Sequence, residues 1–427
     1  MPRLSKDDFR KPQERGLAEL TYKFKVVTSV FGGGVALDQD ESKHHQKPID
    51  AVTPVRGAAV RGQLRFWWRA TQGSRAATPA EMKKREDELW GSAQKPGLVS
   101  LHLLEPPEGA QSSPEKVFEM VPSRSGKLNP RVIDDSAVGY GAFPLQPGKK
   151  GTGDPGVLHR VSGTWTLVLL TPSAHTEEVK TAVEAWLLFG GIGGRTRRGF
   201  GAVDPGSSQN PRAFLSRLSA GGALSGVPSI GPTSRVVEAE DSFDSADGAL
   251  RYGLDRLQSF RQRPGIGRNP GKEDPKRPGR SKWPEADAIR RVTKQRSSLH
   301  RDDLDRIDAF PRAAFGLPIV FHFKDDDDPK DTTLYPDSGR QRHASQLILR
   351  PFRTSKGFVA LALVLDGEPS ATANLELRSI GHEALVKATG QLTKAQAETI
   401  RVHPAKGQTD VLGAFLTFFQ KTSGSMK

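Results

Sequence analysis

The segment Gly190–Gly201, GGIGGRTRRGFG, restricts the chain more than any other: six of its twelve residues are glycine and three are arginine. Glycine fits where a backbone must take positive φ or approach another group without a Cβ in between. A run of such residues exposes backbone N–H groups that form an anion-binding concavity, and arginine adds planar donors matched to phosphate. The segment is therefore expected to cradle phosphate through Gly191, Gly193, Gly194, Arg195, Thr196, Arg197 and Arg198. A flexible turn carrying solvated arginines is the plainer alternative. No G-x-x-x-x-G-K-[ST] occurs in the chain, so a nucleotide-binding P-loop is excluded.

The flanks place this segment. Gly163–Leu170 (GTWTLVLL) has the pattern of a strand. In Glu177–Phe189, the residues Val179, Val183, Trp186 and Phe189 fall on one helical face. A short strand is expected at Phe200–Val203, so the glycines lie where a helix ends and the chain returns to a sheet.

A second informative stretch is Pro54–Arg69, PVRGAAVRGQLRFWWR. At about 100° per residue, Val60, Leu64, Trp67 and Trp68 cover one face of a helix. Arg61, Arg65 and Arg69 form a stripe about 110° away, pointing into a groove or to solvent. Arg56, just ahead of the helix, joins them as a candidate RNA contact. The tryptophans belong to the core by this pattern; stacking on a base is the alternative.

Lys and Arg number 63 against 49 Asp and Glu, a formal net charge of +14. Such an excess favours an acidic partner, with nucleic acid the default. The absence of cysteine excludes disulfides, thiolate catalysis and Cys-ligated zinc. The longest apolar run, Phe358–Leu365, is too short to span a bilayer, and MPRLSKDDFR lacks a signal-peptide core. A cytoplasmic protein without membrane contact is expected.

Other constellations are weaker. Asp38–Asp50 holds His44 and His45, but sequence neighbours rarely converge on one ion, and a solvated loop is expected there. Asp325–Asp328, beside Pro329, is expected to be a solvated turn, not a metal site. No catalytic residue, metal site or cofactor is assigned. Arg261–Lys282 carries eight basic and two acidic residues among prolines and glycines, and is expected to be an irregular, mobile basic loop. Lys282, Arg290 and Arg291 extend the candidate RNA contacts. Pro106–Gly156, rich in Pro, Gly and Ser, is expected to be an insertion, and Pro205–Thr233 the boundary between domains.

The strand at Leu17–Val30, the VRGQLRFWWR helix, LWGS at Leu89–Ser92 and the late GGIGGRTRRGFG together resemble the RAMP superfamily of CRISPR proteins. Within it they resemble the first-subunit family of the type III-B Cmr RNA-guided effector complex. SKWPEADAIRR (Ser281–Arg291), AAFGLPIVFHF (Ala313–Phe323) and QLILRP (Gln346–Pro351) are similar to that family as well. The resemblance implies an α+β fold of two ferredoxin-like, RRM-type domains with antiparallel sheets, helices on one face and long loop insertions. The expected division is 1–205 with the Arg-Gly loop, a linker at 206–232, and 233–427 with the basic loop 261–282. It further implies a subunit without nuclease activity, near the 3′ end of the guide RNA. Its partners would be guide (CRISPR) RNA, target RNA and other RAMP subunits. Backbone contacts of this kind read charge and shape, leaving sequence to base pairing. The alternative is a RAMP endoribonuclease using His44 or His45, or a metal-linked version using Asp38 or Asp40.

Overall fold

Alternation of buried Leu20, Phe24 and Val26 with exposed Thr21, Lys23 and Lys25 makes β1 (Leu17–Val26) a strand with one covered face. The computed structural model describes residues 16–32, 53–297 and 306–421, apart from 124–125, 136, 147–154, 208, 220–223, 324–325, 337–340, 368–371 and 380–383. After β1 come α1 (Gly57–Thr71) and α2 (Pro79–Trp90). Thr78 caps α2 by accepting the Glu81 N–H, with Pro79 in the first turn. β2 (Ser100–Leu104) leads into the Pro- and Gly-rich region, which is not bare loop. It holds β3 (Gln111–Lys116), β4 (Phe118–Pro122), β5 (Leu128–Val132) and the one-turn α3 (Val138–Gly141). β4 pairs with β5, and β3 pairs with β6 (Val157–Ser162).

β7 (Thr164–Pro172), α4 (Thr176–Phe189) and β8 (Val203–Asp204) complete the first unit. Its sheet runs β2-β7-β1-β8, antiparallel throughout. Helices α1 and α4 cover one face: Val60, Leu64, Trp67 and Trp68 join Val179, Val183 and Trp186 over Phe24, Trp165 and Leu167.

The expected linker is partly helical. α5 (Pro211–Ser219) lies inside it, and its Phe214, Leu215 and Leu218 are buried in the same core. Beyond it, β9 (Arg235–Phe243) and α6 (Ala246–Gln262) precede a hairpin of β10 (Arg268–Pro270) and β11 (Pro278–Ser281). This corrects the expectation of irregular chain over 261–282. Arg261 and Gln262 end a helix, and Pro270 and Pro278 sit opposite each other at the turn end of a two-stranded ribbon with no further strand beside it, where proline costs little.

α7 (Glu285–Thr293), β12 (Ile319–Phe321), β13 (Thr332–Pro336), β14 (Leu347–Thr354) and β15 (Gly357–Val364) follow. β16 (Leu375–Ser379), β17 (Ala384–Ala388), α8 (Lys394–Thr399) and α9 (Val411–Gln420) close the chain's described elements. One sheet runs β14-β15-β9 and another β12-β13-β16-β17, again antiparallel.

The long apolar run is explained by β15 and its partner β14, which are buried on both faces. Ile348, Phe352, Leu361 and Leu363 enter the core of the first unit. Leu347, Leu349, Ala360 and Ala362 enter a second core with Leu257, Phe260 and Phe415 of α6 and α9. In this α+β architecture the strand pair β14–β15 is thus shared between two cores.

Candidate nucleic-acid interface

The glycine–arginine segment leaves the end of α4 and lies along the edge strand β14. Gly191 bridges to Ala202, and the Gly194 N–H donates to the Phe31 carbonyl at 2.8 Å. Gly193 lies between these two anchors. Arg195 takes a left-handed conformation, φ 53°, and begins a tight turn over Thr196–Arg198. Gly199 ends that turn at φ 83°, and a Cβ there would come within 3.1 Å of the Leu349 carbonyl oxygen. Glycine is thus required by close packing on β14.

The three arginines divide. Arg197 donates to the Ser345 carbonyl, and Arg198 donates to the carbonyls of Leu347 at 3.0 Å and Phe315 at 3.1 Å. These donors satisfy backbone acceptors at the approach to β14 and at its first residue, a use for guanidinium that the sequence reading did not foresee. Arg195 is exposed, its guanidinium 5.8 Å from the centre of the Phe31 ring. Two of the three arginines expected at phosphate thus also brace the junction between the sheets.

Behind the segment, Arg350 of β14 is buried and donates to the carbonyls of Leu187 and Gly190, at 3.1 and 3.0 Å, and of Val203. Burial pushes its guanidinium down to about 10. Arg353, three residues on, pairs with the buried Asp204 at 2.5 Å.

The electrostatics of the segment are one-sided. Burial pulls Arg198 down from its ordinary value to about 9, and Arg261, Arg195 and Arg197 push it the same way. Burial also lowers Arg195 and Arg197. Tyr140 alone opposes these shifts, and no carboxylate among the described residues does. Arg261, which donates to the Tyr140 hydroxyl at 2.5 Å, has an Nε without an acceptor among the described residues. Tyr140 and Arg261 lie in regions that the sequence offered as an insertion and a basic loop; no local signal links them.

Residues 23–204, from within β1 to the last residue of β8, match the sequence profile of the RAMP superfamily. The CRISPR system Cmr subunit Cmr1-1 of Pyrococcus furiosus is 30% identical over 157 residues, 35% of this chain and 40% of that protein. The match therefore spans less than half of that relative's length. Among solved structures, apo Cmr1 from P. furiosus aligns with a TM-score of 0.41 at 15% identity, over 82% of this chain and 88% of that one. A chain of the type III-B Cmr-beta complex bound to cognate target RNA aligns with a TM-score of 0.43 at 10% identity, over 91% and 99%.

Within the RAMP segment, the arginine stripe of α1 faces α2. Arg65 Nε and Arg69 Nη1 reach the same Glu86 oxygen at 2.7 and 2.5 Å, and Glu86 is only 3% exposed. Arg65 also donates to the Gly91 carbonyl, and Arg61 to those of Trp90 and Val99. The stripe clamps two helices. Arg56 occupies the N-cap position of α1, half-buried. The two tryptophans are in the core, as their helical face requires, with Trp68 donating to Glu178 at 2.8 Å.

Outside the RAMP segment, the remaining candidates are not gathered with these. Lys282 donates to the Gly265 carbonyl at 2.6 Å within the hairpin region. Arg290 makes a two-pronged pair with Asp328, Nε–Oδ1 2.9 Å and Nη2–Oδ2 2.6 Å, which gives Asp328 of the acidic run a structural role. Arg291 pairs with Asp308 at 2.7 Å. His44, His45, Asp38 and Asp40 lie outside the described residues.

Proposed function

We propose that this chain is a non-catalytic RNA-binding subunit of a type III-B CRISPR (Cmr) effector complex. In this reading it grips the guide RNA backbone near its 3′ end, helps capture target RNA and works beside other RAMP subunits in the cytoplasm. The observation that carries the reading is the exposed Arg195 beside Arg197 and Arg198, a group of like charges that no described carboxylate opposes. An unneutralised cationic cluster is costly unless an anion completes it. RNA phosphate supplies that anion, and the chain's net charge of +14 favours the encounter. Arg195 is the outer contact, while Arg197 and Arg198 supply field from behind it. The similarity of residues to a Cmr subunit supports the setting. No described helix is long and apolar enough to cross a membrane.

The strand connections support a ferredoxin-like reading of both halves. The first unit runs β1-α1-β2-β7-α4-β8 with β1 and β7 central, and the second runs β9-α6-β14-β15-α9, with no fourth strand in that sheet among the described residues. Domains at 1–205 and 233–427 follow from that reading, although the two share one core through β14 and β15.

The test is purification of the full chain from its host at low salt. Recovery with short guide RNAs and other RAMP-type subunits is expected. Recovery as a free monomer without RNA contradicts the assignment.

A further inference from the structure

Strand β9 is the edge of its sheet: β15 pairs with one side of it, and no described strand pairs with the other. In the first unit the matching place, beside the opening strand β1, is taken by β8, which pairs with Lys25 and Val26. In an antiparallel ladder, alternate residues turn their N–H and C=O groups away from the partner strand. Half of the backbone groups of β9 therefore face away from β15, and among the described residues no other backbone group bonds to them. Such an edge is a template for one more strand.

The free side opens into a slot of about 430 Å3 bordered by Arg235, Val236 and Val237 of β9, Leu215 of α5, and Leu416 and Gln420 of α9. Val236 packs toward the first core with Leu215, and Val237 toward the second with Leu416. The two helices thus stand on opposite faces of the sheet, and the slot between them continues its plane. It lies where a further strand belongs, about 4.8 Å beyond β9.

The edge is uneven along its length. Its first half offers the two valines, whereas Glu238, Glu240 and Asp241 occupy the second half. A strand running antiparallel to β9 meets those carboxylates with its own N-terminal half, so lysine or arginine there complements them. A second copy of β9 does not fit: paired antiparallel about Ala239, it sets Glu238 against Glu240, and like charges directly opposite repel.

We infer that the free edge of β9 receives a strand from a partner protein, completing a four-stranded sheet, and that this strand is basic in its N-terminal half and apolar at alternate positions in the rest. Backbone bonds supply the affinity, and the side chains that meet Leu215 and Leu416 supply the specificity. The inference stands apart from RNA binding, since the glycine–arginine segment takes no part in it.

The test uses the full chain and a labelled peptide, KTKTVTVTV, with two controls: one with glutamate in place of both lysines and one with proline in place of the central valine. Fluorescence anisotropy measures binding, and hydrogen exchange locates it. The lysine peptide should bind about tenfold more tightly than the glutamate peptide, the proline peptide should not bind, and protection should appear at β9 amides. Glu240→Lys with Asp241→Lys should reverse the preference between the two charged peptides. Should that variant fail to fold, the three peptides carry the comparison on the unaltered chain. No binding by the lysine peptide, equal binding of all three, or protection away from β9 overturns the proposal. So does a dimer of the chain that protects β9 without peptide, which would make this edge a contact between copies.

Discussion

Arg350 on β14 donates to the carbonyl oxygen of Gly190 at 3.0 Å, so the first residue of the glycine–arginine segment is held by a strand of the other sheet. Arg197 and Arg198 reach in the opposite direction, from the segment to carbonyls near that same strand. The two halves of the chain are thus joined by reciprocal guanidinium–carbonyl bonds around one segment. That segment can offer Arg195 outward because its other arginines are fixed from behind.

Arg350→Ala should destabilise the chain by about 3–5 kcal/mol, since the carbonyls of Leu187, Gly190, Val203 and Pro351 lose a charged donor in a buried setting. Urea unfolding followed by tryptophan fluorescence measures this. A change below about 1 kcal/mol would mean that apolar contacts alone hold the junction.

Glu86→Ala should be similarly severe, about 3 kcal/mol, because it strands Arg65 and Arg69 against a buried site. Arg65→Ala and Arg69→Ala, whose side chains are partly exposed, should each cost about 1 kcal/mol and leave RNA affinity nearly unchanged. Thermal melting and RNA titration of the same samples separate the two effects. Intact stability with weakened RNA binding would return the stripe to the RNA groove that its spacing first suggested.

That stripe shows where sequence reading stops. The period that places Val60, Leu64, Trp67 and Trp68 in the core is a local property, and the structure bears it out. The same period sets Arg61, Arg65 and Arg69 apart, but says nothing of what they face; Glu86 is supplied by a separate helix. Arg198 is a longer-range case, since its acceptors Phe315 and Leu347 lie far along the chain. Phe358–Leu365 is legible as apolar, whereas its burial on both faces depends on two cores meeting across it. The hairpin at 268–281 was hidden because proline and glycine content resembles that of loop chain, and its pairing spans few residues.

Arg290→Ala should cost about 3 kcal/mol by leaving Asp328, nearly buried, without its two-pronged partner. Arg290→Lys should recover only part of this, because a single ammonium cannot reproduce the paired geometry. Urea midpoints of the two variants give the comparison; full recovery by lysine would show that charge alone matters there.

The chain should leave single-stranded RNA intact with or without divalent metal. Gel analysis of labelled RNA after incubation is sufficient. Cleavage abolished by His44→Ala or His45→Ala would establish an endoribonuclease instead.

The salt dependence of RNA binding by Arg195→Ala tests the central claim most directly. Arg195 is the exposed arginine of the segment, so its removal should spare the fold, whereas Arg197→Ala and Arg198→Ala remove bonds to β14 and its approach. One lost phosphate contact should flatten the slope of log K against log salt by about 0.7 and weaken different RNA sequences nearly equally. A folded Arg195→Ala variant with unchanged affinity and unchanged slope would contradict the account: the segment would then be a structural brace and nothing more.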